Sequence, residues 1–325
     1  MKTSDKEVDM PSPESHLSIE QRSLQLGKWG NLVMGVSGIA GAYASHSDAL
    51  LVDGLYSGVN FFSAMIAARI SLSIQSPADA RYPLGYEAYE AIYVKYRALV
   101  LLGILSYAVF GAVSKIITYA TGGEVPDLNF GPIILYMVAM VALCFGLAWW
   151  HYWNWRRTGS QSVLLSTEAK ASVVDGIISA GAGGGLVGSL LLRGTFLEFI
   201  VPVSDSIVVI LMCGCIVWQP LRIFLDALHE IAGGTAADEI CAKTSSLVEA
   251  ATAGHAVEIL AVTTTKLGRT YFVIAYLNPK TPVAAAEVDH FRQQLETNCQ
   301  KTLGPAKTEV IITAQAPYAT PKAAG

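Results

Sequence analysis

The sequence predicts an all-α transmembrane bundle of six helices followed by a small α+β domain. Hydrophobic residues make up 52% of the 325 residues and charged residues only 15%, whereas charged residues are about 25% of a typical soluble domain. The mean hydropathy is +0.43. The apolar residues form long runs between Leu32 and Ile231, and the chain is more polar on either side. One part of the chain therefore belongs in lipid and the rest in water.

Six segments are long enough to cross a membrane. A helix that spans a hydrocarbon core about 30 Å thick needs about 20 residues. Prolines punctuate several of the joins between the segments, including Pro77, Pro83 and Pro126. An even number of spans places both termini on the same side. The predicted spans are residues 27–46, 48–74, 88–119, 129–155, 162–192 and 199–228.

The basic residues predict which side that is, because Lys and Arg favour cytoplasmic loops. They occur in the N-terminal tail and after the second and fourth spans, for example Lys28, Arg81 and Arg157. The opposite joins contain Arg193 and no other basic residue. Both termini are therefore expected in the cytoplasm. Residues 1–25 have no apolar core and no cleavage site, so they are interpreted as a polar tail and not as a signal peptide.

Residues 233–316 have the pattern of a soluble domain. Helical spacing over 236–250 is followed by two runs rich in β-branched and aromatic residues, at 256–264 and 271–276. A hairpin turn at Lys266–Arg269, a second helix over 283–303 and a third strand over 308–313 complete the order αββαβ. This order predicts a three-stranded, ferredoxin-like sheet covered on one face by two helices. Residues 317–325 form the C-terminal tail.

Acidic residues interrupt two of the apolar segments. Asp53 lies in the second predicted span, and Glu168 and Asp175 lie in the fifth. A carboxylate near the middle of a bilayer costs about 3 kcal/mol on insertion scales, so it usually faces a polar cavity, a partner charge or an ion. These acids therefore indicate a polar pathway between the helices.

Other classes of function find no support in the sequence. The five cysteines are scattered and form no CxxC pair. The formal charge of −4 gives no indication of nucleic-acid binding. We find no paired nucleophile and base, no phosphate-binding loop and no cofactor motif, so the chain is not expected to be an enzyme or to hold a cofactor.

Several local strings resemble the cation diffusion facilitator family. These are SDALLVDGLYSGVNFFSAMIAARISLSIQSP, RYPLGYEAYEAI, EAKASVVDG and VSDSIVVILMCGCIV, and the likeness extends from about residue 26 to residue 316. It implies a homodimer in the inner membrane of a bacterium that exports divalent metals in exchange for protons. The predicted C-terminal domain has no histidine cluster with ligand spacing, so its expected role is dimerisation.

The resemblance also implies a transport site with two ligands on the second span and two on the fifth, each pair one helical turn apart. Counting back from Pro77, the matching residues are Tyr56 and Asn60; on the fifth span they are Ala171 and Asp175. Only Asp175 is a usual ligand type, which makes this a divergent member with an altered site and makes zinc doubtful.

The candidate ligands that remain are oxygen donors: Asp175, Asp53, Asn60, Tyr56 and Glu168, with Ser57 as a further possibility. Oxygen ligands suit a harder divalent cation such as manganese, iron(II) or magnesium.

The third predicted span carries Glu90, Lys95 and Arg97. In one interpretation these side chains reach the cytoplasmic interface and pair with each other or with Glu87. In the other, Lys95 or Arg97 neutralises the intramembrane acids, and the site holds an internal cation. The second interpretation leads to an alternative function, a non-transporting or regulatory subunit that pairs with an active relative. A carrier of a small organic amine is a third possibility.

Two more features concern the fifth and sixth spans. Gly181 with Gly185, and Gly184 with Gly188, place small residues four apart, which predicts close helix packing or a hinge. Asp205 begins the sixth span, where a carboxylate is expected to offset the dipole of its own helix.

Overall fold

A computed structural model describes residues 13–74, 79–82, 85–158, 160 and 162–317. Pro77 and Pro83 lie outside these residues. Seven helices precede the C-terminal sheet domain in the described part. They are α1 (Pro13–Ser45), α2 (Asp48–Ile74), α3 (Ala88–Ala120), α4 (Phe130–Arg157), α5 (Val163–Ser189), α6 (Ser204–Ile216) and α7 (Trp218–Ile231), with short 3-10 helices at Leu190–Leu192 and Glu198–Val203.

Five stretches in the described part are long and apolar enough to cross a membrane, and they match the second to sixth predicted spans. α1 contains the first predicted span but is not among the five. It also extends back to Pro13, so that part of the predicted tail is helical and includes polar residues such as Glu20. The prediction of six spans therefore remains a prediction. The five are Asp48–Ala67, Ala88–Ala120, Phe130–Arg157, Leu164–Leu192 and Glu198–Ile231.

The chain divides into two compact units. The first runs to Ile66 and from Arg97 to Leu221, and the second comprises Ala67–Tyr96 and everything from Arg222 onward. In the first unit, α1 and α2 cross with backbone against backbone: a Cβ added to Gly38 would lie 2.5 Å from Gly54 Cα. Only glycine permits so close an approach. The core of this unit is built around residues such as Ile133 and Leu186, which are fully buried.

The connections α1–α2, α3–α4 and α5–α6 meet at one end of the first unit, which we call the joint end. Asn129 N–H, before α4, donates to Ser45 O at the end of α1 (3.0 Å). Asp205 is 3% exposed, and its carboxylate accepts hydrogen bonds from Ser47 Oγ (2.6 Å) and Asp48 N–H (2.8 Å). It also accepts from the N–H of Ala49 (3.2 Å). Asp205 lies in the first turn of α6, where its charge was predicted to act, and it also caps the first turn of α2, whose N–H groups have no partners within that helix.

The glycines of α5 pack differently from the predicted pairs. Gly183 faces Met137 of α4 and Gly185 faces Val208 of α6, whereas an added Cβ at Gly181, Gly184 or Gly188 would meet nothing within 4 Å. The close contacts of α5 therefore go to two neighbouring helices, α4 and α6, instead of following one line of small residues.

In the second unit, the C-terminal domain has the predicted order αββαβ. α8 (Asp238–Thr252) precedes strands β1 (Val257–Leu267) and β2 (Thr270–Pro279), and α9 (Ala285–Leu303) precedes β3 (Ala306–Ile312). The sheet order is β1-β2-β3, with β2 antiparallel to β1 and parallel to β3. The alternate residues Val273, Ala275 and Leu277 pack with Val248 of α8 and Leu295 of α9.

The opposite face of the sheet carries Phe272, Ile274 and Tyr276, since successive strand residues point to opposite sides. Ile311 of β3 pairs with Tyr276 and is 39% exposed. Lys307 and Glu309 of β3 pair with Phe272 and Ile274, so this open face is apolar only in part, at Tyr276 and Ile311.

Candidate functional site

The five predicted ligands lie on two helices of the first unit. Asp53, Tyr56 and Asn60 belong to α2, and Glu168 and Asp175 belong to α5; all five are half-buried. Ala171, by contrast, is exposed and offers no donor. The apolar composition of both segments makes them helical, and a helix places residues three or four apart on one face.

Asp53 joins three helices. Its Oδ2 accepts a hydrogen bond from Tyr136 Oη of α4 (2.8 Å) and a longer one from Ser179 Oγ of α5 (3.5 Å). The charges of Asp53 and Glu168 both act on the carboxyl group of Asp175. Asp53 of α2 is therefore linked to α4 through Tyr136 and, through Ser179, to the turn of α5 that follows Asp175.

Asn60 has a different environment. Its Oδ1 accepts a hydrogen bond from Arg97 Nη2 of α3 (3.1 Å). The positive charge of Arg97 also acts on Glu168 and on Tyr56. The predicted site residues thus separate into a group around Asp53 and Asp175 and a group around Arg97.

Glu87 and Glu90 do not pair with the cations of α3. Glu87 bonds to Lys307 of β3 (2.7 Å), and Glu90 bonds to Arg269 of the hairpin turn (2.9 Å). Lys95 Nζ lies 5.2 Å from the centre of the Tyr96 ring.

The interpretation in which Glu87 or Glu90 pairs with Lys95 or Arg97 is wrong, because the two glutamates form ion pairs with basic residues of the sheet domain instead. Within the described residues of the first unit, Arg97 bonds to Asn60 and forms no ion pair with Asp53 or Asp175.

Sequence reasoning missed Tyr136 and Ser179. Ser179 could have been found, because it lies four residues after Asp175 and so on the same face of α5. Tyr136 sits in an apolar stretch of α4 among other aromatic residues, and the sequence gives no signal that its hydroxyl meets a carboxylate. Cys144 of α4, whose thiol donates to Met34 Sδ (3.7 Å), also lies within reach of the charges of Asp53 and Asp175.

The donor types define what this cluster can hold. Among the residues that the structure describes, no group of three or more His, Cys, Asp or Glu side chains could hold a metal ion. Any cation bound here would need hydroxyl, phenol or amide oxygens beside the carboxylates.

The loop before α3 contains a second polar cluster. Asp79 accepts hydrogen bonds from Tyr86 Oη (2.7 Å) and from the N–H groups of Arg81 and Tyr82 (each 2.8 Å). These bonds, that of Tyr86 first, hold the pKa of Asp79 below its ordinary value. Tyr86 thereby helps to order the turn before α3.

Comparison with known proteins identifies the family of the chain. Residues 24–232 match the cation efflux transmembrane domain family. The chain is also similar to YdbO of Bacillus subtilis (strain 168), described as an uncharacterised transporter, with 30% identity over 191 residues. The aligned region covers 58% of this chain, and the chain spans 60% of the length of that relative. Because the family match covers more than half of the chain and contains the five apolar stretches, this is an integral membrane protein that belongs to the cation efflux family.

Proposed function

We propose that this protein exports a divalent cation from the cytoplasm in exchange for protons. The observation that supports the proposal most directly is the position of Asp53. Its carboxylate is held by Tyr136 and Ser179 between three helices of the cation efflux domain, within electrostatic reach of Asp175. Membership of the family and the likeness to a described transporter favour transport as the use of this cluster.

The two carboxylates give a physical reason for exchange. Two negative charges close together in a poorly solvated site repel each other, and each is costly to keep charged. A divalent cation between α2 and α5 removes this cost, and protons on Asp53 and Asp175 remove it equally well. In the proposed cycle the cation enters from the cytoplasm, and protons replace it when the site opens to the other side.

The donor set favours a hard cation. Asp53, Asp175, Tyr56, Asn60 and Glu168 offer oxygen only, and oxygen-rich sites suit manganese, iron(II) or magnesium better than zinc. We therefore expect Mn²⁺ to be a better substrate than Zn²⁺.

Flux into proteoliposomes tests the proposal. Wild-type protein should move Mn²⁺ across the bilayer when a proton gradient is imposed, and Asp175→Asn should lower the rate by roughly tenfold or more, as loss of a ligand would. Asp226→Asn is the matched control, because the side chain of Asp226 is 73% exposed on α7 and the same atom is replaced. Equal flux in wild type and Asp175→Asn would remove this cluster from the mechanism.

A second candidate function is a non-transporting subunit that keeps the scaffold and pairs with an active relative. The hydrogen bond between Arg97 and Asn60 favours it, since a cation is already built into one part of the predicted site. Isothermal titration with manganese, iron(II), cobalt and zinc separates the two functions. A transporter should bind at least one of these ions in a manner sensitive to Asp175→Asn, and a scaffold should bind none.

We also propose that the C-terminal domain forms a homodimer through the open face of its sheet. Support comes from Ile311, which is exposed beside Tyr276 on this face. Apolar surface of this kind typically marks an interaction site.

A further inference from the structure

We infer that the end of α4 opposite the joint end binds the phosphate headgroup of an anionic membrane lipid. The surface concerned, which we call the α4 headgroup site, consists of Trp149, Trp150, Trp153, Arg156 and Arg157. Lipid binding here requires no movement of a cation, so the inference goes beyond the proposed function.

A contact with α1 fixes which side of α4 faces outward. His151 is 1% exposed, and its Nδ1 lies 2.8 Å from Ser23 Oγ of α1. Since a helix turns by about 100° per residue, Trp149, Trp153 and Arg156 lie on the side away from His151. Trp149 and Trp153 are 71% and 49% exposed. This side of α4 therefore faces the surroundings of the bundle, which for an integral membrane protein are lipid.

The length of α4 places the α4 headgroup site at the level of the lipid headgroups. The helix has 28 residues, Phe130–Arg157, which span about 42 Å at a rise of about 1.5 Å per residue. A bilayer with its headgroup regions is about 40–45 Å thick. With α4 near the membrane normal, its two ends reach opposite headgroup layers. Tryptophan is suited to this level because its ring is apolar and its N–H is polar.

The rings of the α4 headgroup site hold one arginine in place. Arg157 Cζ lies 5.2 Å from the centre of the Trp153 ring, and that ring packs edge-on against Trp150 with 6.2 Å between the ring centres. A ring attracts a guanidinium to its face, and the N–H groups at the edge of the guanidinium still match the oxygens of a phosphate. The site thus offers a phosphate ligand beside exposed apolar rings, and a phospholipid combines a phosphate with apolar chains.

The charge of the α4 headgroup site favours an anionic lipid over a zwitterionic one. Among the described residues, neither Arg156 nor Arg157 forms an ion pair with an acidic side chain. The carbonyl end of a helix supplies only about half a negative charge, so the two guanidinium groups leave a net positive charge. A zwitterionic headgroup carries its own cation beside the phosphate, which this charge repels. A free phosphate ion would leave the tryptophan rings without a partner.

Native mass spectrometry of the full-length protein in detergent tests the inference, with titrations of phosphatidylglycerol and of phosphatidylcholine that has the same acyl chains. Wild type should bind phosphatidylglycerol more tightly. Arg156→Gln and Arg157→Gln should each weaken this binding about fivefold, which corresponds to about 1 kcal/mol for one basic residue near anionic lipid. Trp153→Leu should weaken the binding of both lipids, because it removes the ring but no charge.

Arg193→Gln is the matched control. Arg193 also lies over a ring of α4, with Cζ 5.6 Å from the centre of the Phe130 ring, but it lies at the joint end. Its loss should change the affinity for phosphatidylglycerol by no more than about twofold, well under the 1.4 kcal/mol of a tenfold change. Thermal unfolding in detergent shows whether each variant is folded.

Three results would overturn the inference. Equal affinity of the wild type for the two lipids would show that the surface does not select by charge. An equal loss in Arg193→Gln and Arg157→Gln would show an effect of net charge and not of a site. Displacement of phosphatidylglycerol by an excess of inorganic phosphate would show that the arginines recognise the ion alone.

Discussion

At the scale of single residues, Asp205 connects two segments that are far apart in the sequence. Its carboxylate is buried and accepts hydrogen bonds from Ser47, Asp48 and Ala49. Asp48 in turn pairs with Lys115 of α3 (2.6 Å). The first turn of α2, which lies just before Asp53, is therefore fixed by Asp205 of α6. The same helix, α2, carries Asp53 and the residues that bond to Asp205, so it connects the candidate site to the joint end.

Asp205→Ala should destabilise the protein. The change leaves the Ser47 hydroxyl and two N–H groups of α2 without an acceptor, and each unsatisfied buried group costs about 1–3 kcal/mol. We expect a lower midpoint of thermal unfolding in detergent, followed by tryptophan fluorescence. Asp226→Ala, at an exposed position of α7, should leave the midpoint unchanged. Equal midpoints for both variants would contradict the capping role.

The sequence predicted some of the candidate site because of what carboxylates cost in lipid. Asp53 and Asp175 stand out in any apolar segment, and Ser179, one turn after Asp175, bonds to Asp53. Tyr136 and Ser179 do not stand out, since hydroxyl side chains in membrane helices commonly bond to their own backbone. Which hydroxyl meets a carboxylate depends on the rotation of each helix about its axis, and this is a property of packing and not of composition.

At the scale of elements, the crossing of α1 and α2 sets the position of the site. Gly38 and Gly54 bring the two backbones into contact directly beside Asp53. Gly35 and Gly58 extend the contact along both helices, because an added Cβ at Gly35 would lie 3.1 Å from Gly58 N. Hydropathy predicted that these segments are helices, but it did not predict the crossing. The pattern of apolar residues does not indicate where the backbones of two glycines will touch.

Gly38→Ala should disturb this crossing. The new methyl group would overlap Gly54 Cα and Tyr136 Oη, and overpacking typically costs about 1–3 kcal/mol. We expect a lower thermal midpoint and weaker Mn²⁺ binding, since the same methyl group displaces the phenol from Asp53. Gly103→Ala in α3 is the matched control, because a Cβ there meets nothing within 4 Å. A stable Gly38→Ala variant with unchanged binding would show that the helices can separate freely.

At the scale of the whole molecule, two compact units divide the chain at positions that the hydropathy pattern does not mark. The three boundaries lie inside α2, between Ile66 and Ala67, inside α3, between Tyr96 and Arg97, and inside α7, between Leu221 and Arg222. Ion pairs explain part of this: Glu87 and Glu90 bond to side chains of the sheet domain, so the start of α3 belongs to the second unit. Hydropathy measures the match to lipid, and it does not detect contacts between charged side chains that are distant in sequence.

The open face of the sheet allows a test of the proposed homodimer. Ile311→Glu places a charge beside Tyr276 and should shift the purified protein from dimer to monomer in light scattering coupled to size-exclusion chromatography. Ile312→Glu is the matched control, because the neighbouring strand residue points to the other face, although it is 43% exposed. An unchanged dimer in Ile311→Glu, or a monomeric wild type, would exclude this interface.

The backbone contact between Gly38 and Gly54 also limits how the protein can evolve. A contact between two side chains can be rebuilt by a pair of compensating substitutions, one larger and one smaller. At this crossing neither partner has a side chain to shorten, so a substitution at one glycine has no compensating change at the other. Laboratory selection for new cation preference should therefore alter Tyr136, Ser179 or Arg97 and leave Gly38 and Gly54 as they are.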